Sequence, residues 1–340
     1  MSKPLLSICI PVYNFGAFIG ETLKSIICQA SQEIEIVIVD GASTDNTEEI
    51  ISGYLTRFTG LRYYRLEKRG GIDRDMAKSV ELANGEYCWL FGGDDIMMPS
   101  ILSKMLVEIS SGIDLFLCEA ILCDFNLHPM AKHNLLTINT EKIFDLGNKE
   151  DRLEYCKNAS NTAAFFSFCG ALIFKKSVWN TVSLNESFVG SCWAHVARFF
   201  EIIPKGLKVK YLPAPCLYKR GDNDSFRDKG IAHRFKIAID GYNRLANTFF
   251  GKSSLEAFHI RRVLKNEFPL HWFFYVKSEC RRKRLPEDIF ILDNLVKTLY
   301  SDPLLKNRIY LYLYLYTPLP VYQFFSFLLR QAKQLSVKTK

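Results

Sequence analysis

Tyr87-Cys88-Trp89-Leu90-Phe91 runs straight into Gly92-Gly93-Asp94-Asp95. Five strand-forming residues followed by two glycines and two adjacent carboxylates fit a buried parallel strand that delivers acidic side chains to the carboxyl edge of a sheet, where ligands bind. Neighbouring carboxylates repel unless a positive group sits between or in front of them, and a hard divalent cation carrying phosphate oxygens meets that need. The plainer alternative is an acidic turn capping the helix that follows at Pro99.

Outward from this stretch the chain alternates. Leu5 to Pro11 reads as a buried strand running into the loop Val12-Tyr13-Asn14-Phe15-Gly16, and Phe18 to Gln29 carries Phe18, Ile19, Leu23, Ile26 and Ile27 at helical spacing. Glu33 to Asp40 is a continuous β-branched run ending in an aspartate; Gly41 to Thr47 supplies a turn and a helix N-cap, and Glu48 to Phe58 a second helix. A third strand spans Leu61 to Leu66 and a third helix about Arg74 to Ala83, before the Tyr87 strand. This βαβαβαβ order predicts an α/β fold, a doubly wound parallel sheet with right-handed crossovers. Asp40, Asp94 and Asp95 then share one rim. No GxGxxG follows the first strand and no GxxxxGK[ST] occurs, so neither a dinucleotide fingerprint nor a P-loop accounts for that rim.

Downstream the pattern loosens. Asp114 to Asp124 reads as a strand followed by another, Asn126 to Arg152 as a polar connection, and Asn161 to Lys176 as an aromatic packing segment. Lys208 to Leu212 continues into Pro213-Ala214-Pro215, which predicts an edge strand.

The 340 residues are 48% hydrophobic and 24% charged, the composition of an ordered globular chain. The N-terminus has no basic and apolar leader pattern. Ten scattered cysteines, without a CxxC pair or a histidine at zinc spacing, fit reduced thiols in a cytosolic protein. The net charge of +8 is unevenly placed: residues 251–340 hold 16 Lys and Arg against 7 Asp and Glu. From Ile231 the periodicity is helical and basic, and Ile309 to Leu329 gives 21 residues without a charge. About 20 apolar residues span a bilayer. Pro318, Pro320, Gln323 and the tyrosines argue against a span, whereas aromatic rings flanked by Arg308, Arg330 and Lys333 favour lying on an anionic membrane surface. An ordinary C-terminal packing segment is the alternative.

Ile8 to Asn14 (ICIPVYN), Ile38 to Asp45 (IVDGASTD) and Gly85 to Asp95 (GEYCWLFGGDD) together resemble the family 2 glycosyltransferases of GT-A fold. Within that family the runs Val189 to His195 and Leu212 to Gly221 are most similar to bacterial O-antigen abequosyltransferases. The resemblance implies a Rossmann-like, mostly parallel sheet flanked by helices in residues 1–230. A nucleotide-sugar half occupies about 1–110 and an acceptor half about 111–230, with a helical, basic extension over 231–340. By the same resemblance, Pro11, Tyr13 and Asn14 flank the pyrimidine, Asp40 binds base and ribose, and Gly93, Asp94 and Asp95 form the DXD region. There Asp94 and Asp95 hold Mg²⁺ or Mn²⁺ on the donor diphosphate. Arg220, opening the loop Gly221 to Ser225, matches a loop that closes over the donor, a plain surface turn being the alternative; Asp73, which the expected fold places at the start of the third helix facing the rim, is a weaker donor contact.

Two positions depart from the family pattern. Gly92 stands where an aspartate is usual, and Val189 to His195 lacks the carboxylate pair whose aspartate serves as general base. His195 is the nearest group able to take a proton, unless it is a helix histidine packed beside Trp193; Glu186 and Glu119 are the other candidates. The resulting expectation is an inverting enzyme moving a sugar, a 3,6-dideoxyhexose such as abequose, from a CDP-sugar to a lipid-diphosphate-linked O-antigen oligosaccharide of lipopolysaccharide. It would work in the cytoplasm, peripheral on the inner face of the bacterial inner membrane, with no nucleic-acid partner. A nucleotidyltransferase, or a non-catalytic nucleotide-binding subunit, are the competing readings.

Overall fold

The computed structural model describes residues 3–223, 229–301, 304–318 and 320–323. Two compact units emerge, one of residues 1–224 with 245–260 and the other of 225–244 with 261–340. Residues 245–260 thus belong with the first unit although they follow part of the second in the chain.

The first unit begins as the alternation predicts: β1 (Leu6–Val12), α1 (Ile19–Ile27), β2 (Ile34–Asp40), α2 (Thr47–Leu55), β3 (Leu61–Arg65), α3 (Ile72–Leu82) and β4 (Tyr87–Leu90). Every residue of β2 and β4 is buried, Glu35 of β2 included, which is why these strands do not alternate between apolar and polar residues along their length. In α1, Ile19, Leu23 and Ile26 lie on one face and are wholly buried, each contributing about 1.5–3 kcal/mol of hydrophobic stabilisation.

There follow β5 (Ile96–Met97), α4 (Ile101–Ile109), β6 (Leu115–Cys123), β7 (Pro129–His133), β8 (Lys142–Asp145), α5 (Lys149–Asn158), β9 (Leu172–Lys175), α6 (Lys176–Trp179), α7 (Ala194–Ile202) and β10 (Lys208–Lys219). All ten strands form one sheet in the order β3-β2-β1-β4-β9-β6-β10-β5, with β7 on β6 and β8 on β10. The pairs among β1 to β4 are parallel; β9 joins β4 and β6 antiparallel, and β10 runs parallel to β6. The sheet is therefore mixed, its uninterrupted parallel part confined to the first four strands.

Two expectations need correction. Leu115–Cys123 is one strand, which folds back as a hairpin onto β7 inside the supposed irregular connection. And β10 is not an edge strand: β6 flanks it throughout, while its other side pairs with β8 over Lys208 to Tyr211 and with β5 at Leu217 and Tyr218. Pro213 and Pro215 fall in the interval between these two partners, where the β6 register also shifts. A strand can carry prolines at such an irregularity as well as at an edge.

The second unit is helical. It contains parts of α8 (Ile231–Phe249) and α9 (Leu255–Glu267), and α10 (Leu270–Arg282), α11 (Pro286–Leu299) and α12 (Leu305–Tyr316). Phe273, Val276, Leu292, Leu295, Val296 and Tyr314 make its interior. Pro286 at the first position of α11, with Glu287 and Asp288 in its first turn, is a favourable helix start.

Candidate active site

The strand order reverses between β1 and β4, with β2 and β3 wound to one side. A crevice opens at the carboxyl ends of strands at such a switch point. The loops after β1 and β2 meet there and are tied together: the Asn14 and Phe15 amides donate to Ser43 Oγ (2.9 Å) and Thr47 Oγ1 (2.8 Å). The Gly16 amide donates to Asp45 Oδ2 (3.0 Å), and Asn14 Oδ1 accepts from the Thr44 amide (2.8 Å). Tyr13 keeps its ring at the surface of this pair of loops, where the Arg69 guanidinium lies 3.8 Å from the ring centre. Pro11, half-buried in β1, precedes them.

Asp40 ends β2 fully buried. Its Oδ1 accepts from the Ser43 amide (2.7 Å) and its Oδ2 from the Tyr63 hydroxyl (2.7 Å), with Arg65 at 3.7 Å. As it stands the carboxylate shapes the second loop from below.

At the end of β4 the acidic turn is anchored from three directions. Thr22 Oγ1 on α1 donates to the carbonyls of Gly93 (3.0 Å) and Asp95 (2.9 Å). A Cβ on Gly93 would lie 2.9 Å from both Phe15 and Val12, so the close approach of the first loop requires glycine there. Arg220, at the end of β10, donates its amide to Asp95 Oδ1 (3.0 Å), its Nε to the Asp94 carbonyl (3.0 Å), and guanidinium nitrogens to the Phe125 carbonyl (2.7 Å) and Glu21 Oε2 (2.6 Å). The guanidinium is thereby committed to bracing the turn. Asn223 Nδ2 donates to Asp94 Oδ2 (2.8 Å); of the loop that Arg220 opens, Asp224 and Ser225 lie outside the described residues.

Burial raises the affinity of Asp94 for its proton, and burial together with the Asp94 charge does the same at Asp95. The turn therefore concentrates negative charge that a cation would relieve. Asp94 Oδ1 and Asp95 Oδ2 are left over from the bracing contacts and converge on Gly92, 3.1 Å and 2.8 Å from where its Cβ would be. Two hard oxygens side by side suit Mg²⁺ or Mn²⁺, which bind one or two carboxylates and complete their shell with phosphate and water. Among the described residues no cluster of three or more His, Cys, Asp or Glu forms a closed protein cage for a metal.

The other expected residues separate. Asp73 is buried at the start of α3 and is no open donor contact. Its Oδ2 accepts from the amides of Gly190 (2.8 Å) and Cys192 (3.0 Å), and its Oδ1 from that of Ala194 (3.0 Å), which clamps the turn leading into α7. His195 is 4% exposed, and its Nε2 lies 3.0 Å from the Phe166 carbonyl. Burial lowers its pKa to about 4, so it is a buried helix histidine rather than a base open to an acceptor. Glu119 is equally enclosed, accepting from the Tyr211 hydroxyl and pairing with Lys132 at 2.7 Å. Glu186 alone is exposed, its carboxylate held by Arg74 of α3 at 2.6 Å and 3.2 Å.

Sequence reasoning passed over Asp75. It is 4% exposed with its Oδ1 lacking a hydrogen-bond partner, and burial raises its pKa to about 6. Gly41 and Gly70 pack against it so closely that a Cβ on either would come within 2.6 Å and 2.5 Å of its carboxylate oxygens. The available signal was an acid on the buried face of a helix's first turn, next to Gly70-Gly71. Glu21 and Asn223, which complete the bracing of the acidic turn, left no local signal.

A parallel nucleotide-binding half, two interlocked loops at its switch point and an acidic turn at the end of the fourth strand define a GT-A architecture. The chain belongs to glycosyl transferase family 2, whose model matches residues 7–181, and it is a glycosyltransferase. Over 275 residues it is 33% identical to the abequosyltransferase RfbV of Salmonella typhimurium, covering 79% of this chain and 82% of that one. The glycosyltransferase GlyG of Streptococcus pneumoniae is 30% identical over 105 residues, 31% of this chain and 35% of GlyG. Among solved structures, residues 1–349 of Staphylococcus aureus TarS in complex with UDP superpose with a TM-score of 0.60 at 18% identity, covering 96% of this chain and 92% of that one. The mannosyltransferase PcManGT of Pyrobaculum calidifontis, in complex with GDP-Man and Mn²⁺, gives 0.52 at 17% identity, with coverages of 95% and 84%. At these identities the structural likeness speaks for the fold. No helix among the described residues is long and apolar enough to cross a membrane.

Proposed function

We propose that this glycosyltransferase moves a 3,6-dideoxyhexose such as abequose from a CDP-sugar to a lipid-diphosphate-linked O-antigen oligosaccharide, at the cytoplasmic face of the inner membrane. The observation that carries this reading is the likeness to the Salmonella abequosyltransferase. It extends over 275 residues, 79% of this chain, and so takes in far more of it than the 105 residues that GlyG matches.

In this reading Pro11, Tyr13 and Asn14 line the base, Asp40 supports the loop that meets base and ribose, and Gly93 lets the first loop approach the diphosphate. Asp94 and Asp95 would hold Mg²⁺ or Mn²⁺, which when bound supplies Lewis-acid compensation for charge on the departing nucleotide. Arg220 keeps Asp95 in place through its amide. The acceptor oxygen attacks the anomeric carbon as the bond to the β-phosphate oxygen breaks. The nucleoside diphosphate leaves from the opposite face, and the hydroxyl proton passes to a carboxylate. Glu186 is the candidate for that role, being the exposed one among His195, Glu119 and Glu186. A lipid-linked acceptor places the work at a membrane surface, which suits the basic, aromatic C-terminal region.

The test offers purified protein a CDP-, UDP-, GDP- or dTDP-sugar in turn with a lipid-linked oligosaccharide, and reads product and anomeric configuration by NMR. Transfer from the CDP-sugar with inversion is expected. Preferential transfer from another nucleotide overturns the donor, and retention overturns the single displacement.

A further inference from the structure

The second unit contains a helix whose apolar face points outward. In α12, Leu305, Ile309, Tyr312, Leu313 and Tyr316 are 73%, 48%, 64%, 44% and 67% exposed. They recur at the spacing of one helical stripe, while the opposite face buries Asn307 and Tyr314. Lys306 and Arg308 stand exposed beside the stripe. A contiguous apolar patch of this kind marks an interaction surface, and basic flanks next to aromatic rings suit a bilayer interface.

At the C-terminal end of the stripe lies a cavity of about 160 Å³, walled by Phe274, Lys277 and Arg281 of α10 and by Tyr314 and Tyr316 of α12. Its charge is not balanced. Lys277 Nζ pairs with Asp293 Oδ1 at 2.7 Å, and the Tyr314 hydroxyl donates to the same oxygen at 2.9 Å, so the Asp293 charge answers Lys277. Arg282, the next residue, is matched by Glu279 at 2.5 Å. No carboxylate among the described residues pairs with Arg281, which is exposed at the cavity wall. A guanidinium with no carboxylate partner among the described residues, in a cleft lined by tyrosines, suits a phosphate.

We propose that this cavity receives the phosphate of an anionic membrane phospholipid, with Arg281 as its principal partner, while the Leu305 to Tyr316 stripe of α12 lies among the headgroups and upper acyl chains. The inference rests on the membrane-surface reading above and adds a specific headgroup slot to it. The two faces act together: the stripe supplies affinity for any bilayer, and the slot supplies preference for anionic lipid.

The experiment is flotation of the full chain with vesicles of phosphatidylcholine alone or doped with phosphatidylglycerol. The wild type is compared with Arg281→Gln, with Arg282→Gln as a control of equal charge change outside the cavity, and with the double variant Tyr312→Ser, Leu313→Ser. Loss of one cation near an anionic surface lowers binding about fivefold. Arg282→Gln should show no more than that, Arg281→Gln a clearly larger loss confined to the doped vesicles, and the double variant a loss on both. Equal losses in the two arginine variants overturn the slot and leave the membrane-surface reading standing. A wild type that floats with neither vesicle overturns that reading and the slot with it. Inorganic phosphate that raises the melting temperature of wild type but not of Arg281→Gln, with the two floating alike, assigns the cavity to a free anion and overturns the lipid. Self-association in sedimentation velocity that the double variant abolishes makes the stripe a contact between copies of the chain, which also overturns it.

Discussion

Asp73 offers a direct test of whether a carboxylate at this rim serves the donor or the fold. Its two oxygens accept three backbone amides, from Gly190, Cys192 and Ala194, at 2.8, 3.0 and 3.0 Å. Hydrogen bonds to a charged group contribute about 1.5–3 kcal/mol each, and an amide left without an acceptor costs about 1–3 kcal/mol. The three bonds share one side chain and are not additive, and the half-buried amides of Gly190 and Cys192 recover water when the carboxylate is removed. Asp73→Ala should therefore destabilise by about 3–5 kcal/mol, and Asp73→Asn, which keeps one acceptor but turns an amide group toward a backbone donor, by about 1–2 kcal/mol. For a unit of this size each kcal/mol shifts the melting temperature by about 2–4 °C, so the alanine variant should melt about 6–20 °C lower. Circular dichroism melts of both variants, beside donor KM measured well below the melting range, separate the two roles. An Asp73→Asn protein that melts with the wild type but has a strongly raised donor KM would refute the clamp and restore Asp73 as a donor contact.

Three further outcomes are expected. Asp94→Asn should lower kcat/KM by at least about a hundredfold, the scale of losing one charge-stabilising group, with a melting temperature no lower than the wild type's, since burial disfavours the Asp94 charge; full activity would remove Asp94 from the site. Asp75 has its pKa raised to about 6, so the folded state holds a proton that the unfolded chain releases, and stability falls as pH rises from about 4 through 6 and stays lower above. Asp75→Asn should remove that dependence, gaining up to about 3 kcal/mol on the wild type at pH 8 relative to pH 4; a difference between the two that does not vary with pH would contradict the assignment. Gly41→Ala should destabilise by about 1–3 kcal/mol, because its Cβ would sit 2.6 Å from Asp75 Oδ2, and Asp75→Ala in the same chain should rescue part of the loss in urea unfolding.

The parts of the fold legible in sequence are those whose signal is local. β1, β2 and β4 are buried almost throughout, so each reads as a mostly apolar run, broken only by Ser7 in β1 and Glu35 in β2, with Asp40 closing β2 and the acidic turn following β4. That alone placed the first loop, Asp40 and the acidic turn on one rim. What failed depended on distant partners. Pro213 and Pro215 say only that two amides lack ladder bonds; whether the cause is an edge or a gap between β8 and β5 is decided by residues far along the chain. Asp73 and Asp75 sit two apart on α3 and so face different directions. The first meets the amides before α7, more than a hundred residues on, and the second is enclosed by Gly41 and Gly70. His195 has the right chemistry for a base, but its surroundings, Trp193 at 6.4 Å and the Phe166 carbonyl, belong to the interior.

The glycine at position 92 can now be given a physical reading. With Arg220 holding one oxygen of Asp95 and Asn223 one of Asp94, the remaining two oxygens lie 2.8 Å and 3.1 Å from where a Gly92 Cβ would be. A side chain there would enter the space between them, and a carboxylate would add a third negative charge to a pair already pushed toward protonation. The missing aspartate thus goes with a different distribution of the load, in which positive charge is built in through Arg220 and its link to Glu21 on α1, and the turn is braced across three elements. Such a turn is held in order by the protein's own contacts, and in the proposed function Asp94 and Asp95 would be the two carboxylates available to a cation. In the proposed function such a two-carboxylate site would bind free Mg²⁺ or Mn²⁺ weakly and would rely on the donor's phosphates to complete the shell.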